Sequence, residues 1–159
     1  MESKKQNMKV FLDTNIFIEF FEQRAQFHIV GKILDAIEDG KIDAFISTGS
    51  IYTMTYLLTQ GLKRNNIHRP EQTEKLRETL YGVTSLCKVI DISHQSIIHA
   101  IDDRSFTDLE DSYQYQCAKQ NGCSHLITIN IRDYKNAKDS MVEVISPADF
   151  INKYLSGNP

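Results

Sequence analysis

The chain has 159 residues, a formal net charge of −3, 41% hydrophobic residues and 25% charged residues. These values are near the averages of globular domains, so they exclude a disordered or fibrous class and indicate one domain with a sizeable core. The negative charge argues against the overall basic surface of proteins that bind nucleic acid regardless of sequence, so any nucleic acid would have to be held locally.

The amino-terminal sequence and the cysteines indicate a cytoplasmic protein. Residues 1–7 lack the apolar region of a secretory signal, and the longest apolar runs are too short to span a membrane, so no membrane partner is expected. Cys87, Cys117 and Cys123 are odd in number and lack a zinc-like spacing, which argues against a disulfide framework and a structural metal. We expect a single domain over residues 1–159, with residues 1–7 as a flexible tail.

Five short apolar runs are predicted to be β-strands: Lys9–Leu12, Ala44–Ile46, Lys88–Ile90, His125–Thr128 and Val142–Ile145. All but the last are followed by a helical pattern, which is typical of parallel strands covered by helices on both faces. The predicted fold class is therefore α/β, a three-layer α/β/α sandwich with a mostly parallel sheet of about five strands.

Apolar residues at helical spacing predict helices between these strands. Thr14 is expected to cap the first helix, and Gly40 to end the second. Pro70 would lie in the first turn of a later helix, and Ser146 followed by Pro147 predicts the start of a closing helix.

The first acidic residue of interest, Asp13, comes directly after the first predicted strand. In an open α/β sheet the carboxyl ends of the strands and the amino-termini of the helices meet at one edge, and ligands bind there. Asp13 could equally cap the helix that begins near Asn15, and this segment alone does not decide between the two roles. Thr14 and Asn15 are short polar residues able to fix the carboxylate or a bound water.

A second group of acids lies at the start of a later predicted helix. Thr107 and Glu110 have the spacing of a capping box, which gives Glu110 a structural role. Asp111 would share a buried helical face with Tyr115, and a carboxylate on such a face needs a partner. Asp108 is interpreted as complementing the helix amino-terminus, with a metal-bridging role left open.

Thr128, Asn130 and Asp133 follow the fourth predicted strand. Thr128 and Asn130 can hydrogen-bond a water or an acidic neighbour, and Asp133 can supply another carboxylate. Although Asp13, Asp111 and Asp133 are far apart in sequence, we expect the fold to bring them to one point.

In order and spacing, these three segments resemble the PIN domain, a small α/β nuclease family. The resemblance runs from about Lys9 to Phe150 and rests on a strand ending in Asp-Thr-Asn, a mid-chain helix with an aspartate, and a Thr-x-Asn-x-x-Asp run followed by an aromatic residue. PIN domains typically gather three or four acidic side chains to bind Mg²⁺ or Mn²⁺ and cut RNA, and many bacterial members are VapC-like toxins. The resemblance therefore implies a metal-dependent endoribonuclease, the toxin component of a type II toxin-antitoxin pair.

By position, the resemblance implies that Asp13, Asp111 and Asp133 are the catalytic and metal-binding acids. It implies supporting roles for Asn15, Thr128, Asn130 and Glu110. The partners that the resemblance implies are RNA, an antitoxin and a second copy of the chain in a homodimer. Apolar residues on helices could form the dimer surface: Tyr56, Leu57 and Leu62.

One position departs from the family's pattern. In that pattern a glutamate follows an Ile-Ser pair by six residues, early on the helix after the second strand. Here Ile46 and Ser47 lead to Thr53. The site would be one carboxylate short unless Glu110 or Asp108 replaces it.

Two alternative functions stay open. A PIN-like module without catalytic activity, binding RNA or a protein, is motivated by Thr53 at the position of the expected glutamate. Aspartyl phosphotransfer of the haloacid dehalogenase type is disfavoured, because it needs a second aspartate where this chain has Asn15.

Other polar and aromatic residues are given weaker interpretations. The five histidines show no zinc-binding spacing and are assigned no catalytic role. Phosphate contacts could come from basic residues, although each is more simply a solvated charge: Lys63, Arg64, Arg69, Arg132, Lys135 and Lys138. Four tyrosines could stack on bases, but aromatic residues on helices are usually core and are predicted to be so here: Tyr52, Tyr56, Tyr113 and Tyr115.

Overall fold

A computed structural model describes residues 6–137 and 141–157. Residues 1–5 of the expected tail, and the predicted phosphate contact Lys138, lie outside the described residues. Within the described part, the Asn7 side-chain amide donates hydrogen bonds to the carbonyl oxygen of Gly40, at 2.9 Å, and to Oδ1 of Asp43, at 3.1 Å.

Five parallel strands form one sheet in the order β3-β2-β1-β4-β5. They are β1 (Met8–Leu12), β2 (Ile42–Ser47), β3 (Cys87–Ile90), β4 (His125–Ile127) and β5 (Glu143–Ile145). The predicted class and strands are confirmed, with ends that differ by no more than two residues, as is usual where strands fray. Strand β1 lies at the centre, with Val10 opposite Ala44 on one side and His125 on the other.

Helices connect the strands and cover both faces of the sheet. They are α1 (Thr14–Phe21), α2 (Phe27–Glu38), α3 (Thr48–Arg64), α4 (Glu71–Leu86), α5 (His94–Asp102), α6 (Leu109–Gln120) and α7 (Pro147–Phe150). A 3₁₀ turn at Ile131–Tyr134 follows β4, and a π-helical turn at Ile151–Leu155 continues α7. Across the described ranges, none of the helices has both the length and the apolar character needed to cross a bilayer.

Two hydrophobic clusters lie on opposite faces of the sheet, because successive residues of β1 point to opposite sides. Val10 and Leu12 belong to one cluster, while Phe11 belongs to the other together with Phe106 and Tyr115. These clusters bury Val10, Phe11 and Leu12 completely and confirm the three-layer arrangement. The carboxyl end of β1 therefore lies at the middle of one sheet edge, where any site would be flanked by helices from both layers.

The helix ends agree with the sequence signals at several positions. Gly40 has a φ of +70° just beyond α2, which is the left-handed conformation expected after a helix end. The Ser146 hydroxyl accepts a hydrogen bond from the backbone N–H of Asp149, at 3.1 Å, and Pro147 is the first residue of α7. Pro70 takes the N-cap position of α4, one residue before the predicted first turn.

Two predicted helix caps are wrong. Asp13 rather than Thr14 caps α1, because its carboxylate accepts the free backbone N–H of Asn15 at 3.2 Å. The capping box of Thr107 and Glu110 does not form, since α6 begins one residue later than that motif requires. Its N-cap is Asp108, whose Oδ1 accepts the backbone N–H of Glu110 at 2.8 Å, as expected for an acid at the positive end of a helix.

Candidate active site

A cleft of about 1070 Å³ opens at the carboxyl edge of the sheet. It is lined by six of the seven residues that the sequence singled out: Asp13, Asn15, Glu110, Asp111, Asn130 and Asp133. The seventh, Thr128, is fully buried and hydrogen-bonded to Asp13. The end of β1, the segment after β4 and the first turn of α6 bring these residues together, as predicted from the parallel topology.

Asp13 is buried and its carboxylate accepts four hydrogen bonds. Oδ1 accepts from the backbone N–H of Asn15 and from the side-chain amide of Gln114, each at 3.2 Å. Oδ2 accepts from the hydroxyls of Thr128, at 2.8 Å, and Tyr134, at 3.0 Å. Burial raises the pKa of Asp13, while these four donors oppose the increase because they favour the charged form. These donors fix the orientation of the carboxylate.

The supporting polar residues hold one another as well as Asp13. The Asn15 side-chain amide donates to Oγ1 of Thr128, at 3.2 Å, and its Oδ1 accepts the backbone N–H of Ile129, at 3.3 Å. The backbone N–H of Asn130 also donates to Oγ1 of Thr128, at 3.0 Å. Thr128 therefore ties the segment after β4 to the end of β1.

Tyr134 joins two of the candidate acids and was not identified from the sequence. Its hydroxyl oxygen lies 3.0 Å from Oδ2 of Asp13 and 3.2 Å from Oδ1 of Asp111. A hydroxyl has one proton, so it donates to one carboxylate at a time. The sequence motif required an aromatic residue after Asp133, and the hydroxyl of that residue was the signal that could have identified it.

Gln114 was also missed. Its Oε1 accepts the backbone N–H of Thr14, at 3.0 Å, while its amide donates to Asp13. It is three residues after Asp111 on α6, so helical periodicity places both on the face that points to the cleft. That periodicity was the available signal.

The electrostatics of Asp111 reflect burial and crowding by other acids. Burial is the main cause that raises the pKa of Asp111 to about 7, and the charges of Asp13, Asp108 and Asp133 add to the increase. Asp133 itself is exposed at the rim of the cleft. At neutral pH a large fraction of Asp111 is therefore protonated in the absence of a cation.

Thr53 and Glu110 face each other across the cleft. The Thr53 side chain interacts with the Glu110 carboxylate and so opposes an increase in the pKa of Glu110, which burial and the charges of Asp13 and Asp108 cause. Glu110 therefore reaches α3 at Thr53, where the PIN pattern has its glutamate. A carboxylate is present in this part of the cleft although it belongs to α6.

The acids fit a hydrated cation better than one ligated mainly by protein. Across the described ranges, no group of three or more His, Cys, Asp or Glu side chains is close enough to hold a metal directly. Asp13 and Asp111 are nevertheless close enough to contact the same hydroxyl oxygen. Mg²⁺ keeps several waters and needs only one or two direct carboxylates, so these two residues fit it, with Glu110 and Asp133 in reach through water.

Some of the basic and aromatic residues lie where they were predicted, and others do not. Arg64 lines the cleft with Arg24, which the sequence analysis had not singled out. Tyr115 is buried, as predicted, but Tyr52 and Tyr56 are 76% and 63% exposed, so the prediction that they are core is wrong. Both lie on the wall of α3 that faces the cleft rather than on its core-facing side. The other described basic candidates do not line the cleft: Lys63, Arg69, Arg132 and Lys135.

Comparisons with known proteins agree with this fold. The chain is 26% identical over 148 residues to Ribonuclease VapC1 of Aquifex aeolicus, covering 92% of this chain and 95% of that protein. Its fold is similar to VapBC2 from Rickettsia felis, solved bound to a DNA fragment from their promoter, with a TM-score of 0.58, 17% identity, and coverage of 87% and 98%. It is also similar to Mycobacterium tuberculosis VapC20, described as a Sarcin-Ricin loop cleaving toxin, with a TM-score of 0.51, 11% identity, and coverage of 74% and 86%.

A sequence model of the family described as PIN domain matches residues 9–132. This range includes residues 9–12 of β1, the first turn of α6 and the start of the segment after β4, and it ends one residue before Asp133. The chain belongs to the PIN domain family.

Proposed function

We propose that the chain is a metal-dependent endoribonuclease and the toxin component of a type II toxin-antitoxin pair. The main support is the contact of Asp13 and Asp111 with one Tyr134 hydroxyl, inside a cleft that also contains Glu110 and Asp133. The similarity to a protein named Ribonuclease VapC1, and the fold shared with a toxin described as cleaving the Sarcin-Ricin loop, support the same activity.

In this proposal, Asp13 and Asp111 hold Mg²⁺ or Mn²⁺. When bound, such an ion lowers the pKa of a coordinated water and neutralises negative charge that develops on the phosphate and the leaving oxygen. Thr128 and Gln114 orient the Asp13 carboxylate. Tyr134, whose hydroxyl contacts both acids, fixes the position of Asp13 relative to Asp111. Asp133, at the rim, would orient metal-bound waters.

RNA digestion with and without Mn²⁺ tests the activity. We expect the wild-type chain to cut RNA only with the ion, and Asp111→Asn to reduce the rate at least about 100-fold, because one direct carboxylate is lost. Asp35→Asn, an exposed aspartate on α2, is the matched control and should cut like wild type. Cleavage that survives EDTA, or an Asp111→Asn variant as active as wild type, would refute the metal mechanism.

We further propose that Glu110 replaces the glutamate missing from α3, because it reaches Thr53 from the opposite wall. Glu110→Gln keeps the shape and the contact with Thr53 but removes a charge. We expect it to reduce the apparent affinity for Mn²⁺ about 10- to 100-fold, the usual cost of losing a group that orients metal-bound waters. The concentration of Mn²⁺ that gives half-maximal RNA cleavage measures this.

The control for Glu110→Gln is Glu71→Gln, because Glu71 is also in the first turn of its helix but is exposed and far from the cleft. An unchanged Mn²⁺ dependence in Glu110→Gln would mean that the site works with three acids.

The alternative is a non-catalytic module that binds RNA or a protein. It is favoured by Thr53 and by the absence of three directly ligating acids among residues 6–137 and 141–157. RNA binding by wild type, without cleavage under any divalent ion, would support it. The antitoxin partner, the homodimer and the cytoplasmic location stay predictions, the first supported by the fold shared with VapBC2.

A further inference from the structure

A row of four side chains on α3 forms one wall of the cleft. Tyr52, Tyr56, Gln60 and Arg64 follow each other at intervals of four residues, so they lie on one face of the helix, and all four line the cleft. We call them the α3 row. Tyr52 is next to Thr53, which contacts Glu110, so the row begins beside the acids and leads away from them.

The two tyrosines are unusual because large aromatic side chains are rarely left in solvent. Their exposed fractions, 76% and 63%, leave most of each ring free. Tyr81 on α4 has a similar exposure, 72%, but lies outside the cleft. Tyr52 and Tyr56 are therefore both exposed and part of the wall of the candidate active site, whereas Tyr81 is exposed elsewhere.

Charge changes sign along the row. The end near Tyr52 faces acids: Asp13, Asp108, Glu110, Asp111 and Asp133. At the other end, Arg24 and Arg64 share a single acid, Glu22, so positive charge is in excess there. A negative ligand that enters the cleft is therefore attracted to the Arg64 end, while its approach to the acids needs a cation.

We propose that the α3 row binds a single-stranded segment of RNA, with bases stacked on Tyr52 and Tyr56 and a phosphate at Arg64. The identity of the ligand rests on the proposed function. Tyrosine rings accept any base by stacking, and unpaired bases have free faces, whereas the bases of a duplex are already stacked. Rings one helical turn apart can hold neighbouring bases of one strand, and Gln60 between them and Arg64 can donate to a sugar or phosphate.

A second copy of the chain is the other occupant to consider for this face. The centres of protein interfaces are depleted of charged residues. Here the rings lie between acids and arginines in an open cleft, which fits a ligand with flat apolar bases and a charged backbone. A homodimer through this face would also cover the cleft that RNA must enter.

A tryptophan reporter tests the stacking directly, because the chain contains no tryptophan. We expect single-stranded RNA, titrated in EDTA at low salt, to quench the fluorescence of the Tyr56→Trp variant. The matched control is Tyr81→Trp, which has similar exposure outside the cleft and should not be quenched. Equal quenching in both variants, or none in Tyr56→Trp, would overturn the proposal.

Alanine variants measure the contribution to binding. Tyr52→Ala and Tyr56→Ala should each increase the Kd for a fluorescent single-stranded RNA about five- to 150-fold. Phenylalanine at either position should retain the affinity, and Tyr81→Ala should not change it. Light scattering on the same variants detects a second copy. Unchanged RNA affinity together with a loss of dimer would assign the row to a protein interface and overturn the proposal.

These binding measurements need no divalent ion, so they are independent of cleavage. Quenching of Tyr56→Trp without any Mn²⁺-dependent cleavage would refute the endoribonuclease and leave the α3 row as an RNA surface. Cleavage by wild type without quenching of Tyr56→Trp would refute RNA binding by the α3 row but not the endoribonuclease.

Discussion

Asp13→Asn is expected to abolish Mn²⁺-dependent RNA cleavage, by at least about 100-fold, and to leave the fold intact. The amide oxygen can still accept from the backbone N–H of Asn15 and from Gln114, and the new amide can donate to the Tyr134 hydroxyl, which can turn its proton to Asp111. The Thr128 hydroxyl cannot accept from the new amide, because Asn15 and Asn130 already donate to its oxygen. Asparagine is also as good a helix cap as aspartate. The substitution therefore removes the charge and the hydrogen bond from Thr128, and it keeps the other contacts.

Cleavage rates and thermal melts of Asp13→Asn check this expectation. Without divalent metal, the melting temperature should stay close to that of wild type, because removal of a buried charge offsets the loss of the hydrogen bond from Thr128. Asp43→Asn provides a control at an exposed aspartate on the neighbouring strand β2. An unfolded Asp13→Asn protein would mean that the carboxylate is needed for the fold, whereas an active one would remove Asp13 from the metal site.

The stability of the metal-free protein is expected to fall as the pH increases from about 4 to 7. The pKa of Asp111 is about 7 in the folded state and its ordinary value is 3.8, so between these values the folded state binds more protons than the unfolded state. Stability then decreases with increasing pH, and the penalty is complete above pH 7. Because Asp111 is only half-buried, solvent screens part of the effect.

Mn²⁺ should reverse this loss. At 100 times its Kd, a bound ion adds about 2.7 kcal/mol, or roughly 5–10 °C in melting temperature for a chain of this size. The increase should be larger at pH 8 than at pH 5, since protons compete with the ion for the same carboxylates.

Thermal melts at several pH values, with and without Mn²⁺, measure both effects. Asp111→Asn should have a weaker dependence of melting temperature on pH and a smaller increase with Mn²⁺, whereas Asp35→Asn should match wild type. A melting temperature of wild type that is unchanged by millimolar Mn²⁺ would count against the metal site.

The backbone of this fold follows closely from local sequence. Each strand is a short apolar run between helices, and β1 is recognised because Val10, Phe11 and Leu12 are buried on both faces and are therefore consecutive apolar residues. Asp13, Asp111 and Asp133 could be placed in one cleft because each follows a strand or begins a helix at the same sheet edge.

The contacts inside the cleft could not be predicted in the same way. Tyr134 and Gln114 bond to Asp13 across more than a hundred residues of sequence, and although local patterns place their side chains on the cleft, they do not identify the partner. Asp13 and Asp108 suit a helix start, but the sequence does not decide between them and the adjacent threonines, because both residue types can accept the same backbone N–H groups. The exposure of Tyr52 and Tyr56 could have been predicted from helical spacing, since both lie away from the face of α3 that buries Ser50 and Met54.

The large sequence separation between Asp13 and Tyr134, which contact each other, has a consequence for protein synthesis. These residues are 121 positions apart, and the backbone N–H of Asp13 pairs with the carbonyl oxygen of Ile127 at 3.0 Å. A nascent chain on the ribosome therefore cannot assemble the acids until most of the domain has emerged and folded. If the proposed function holds, the emerging chain would be inactive on the transcripts around it until that moment, which leaves time for an inhibitor to meet it.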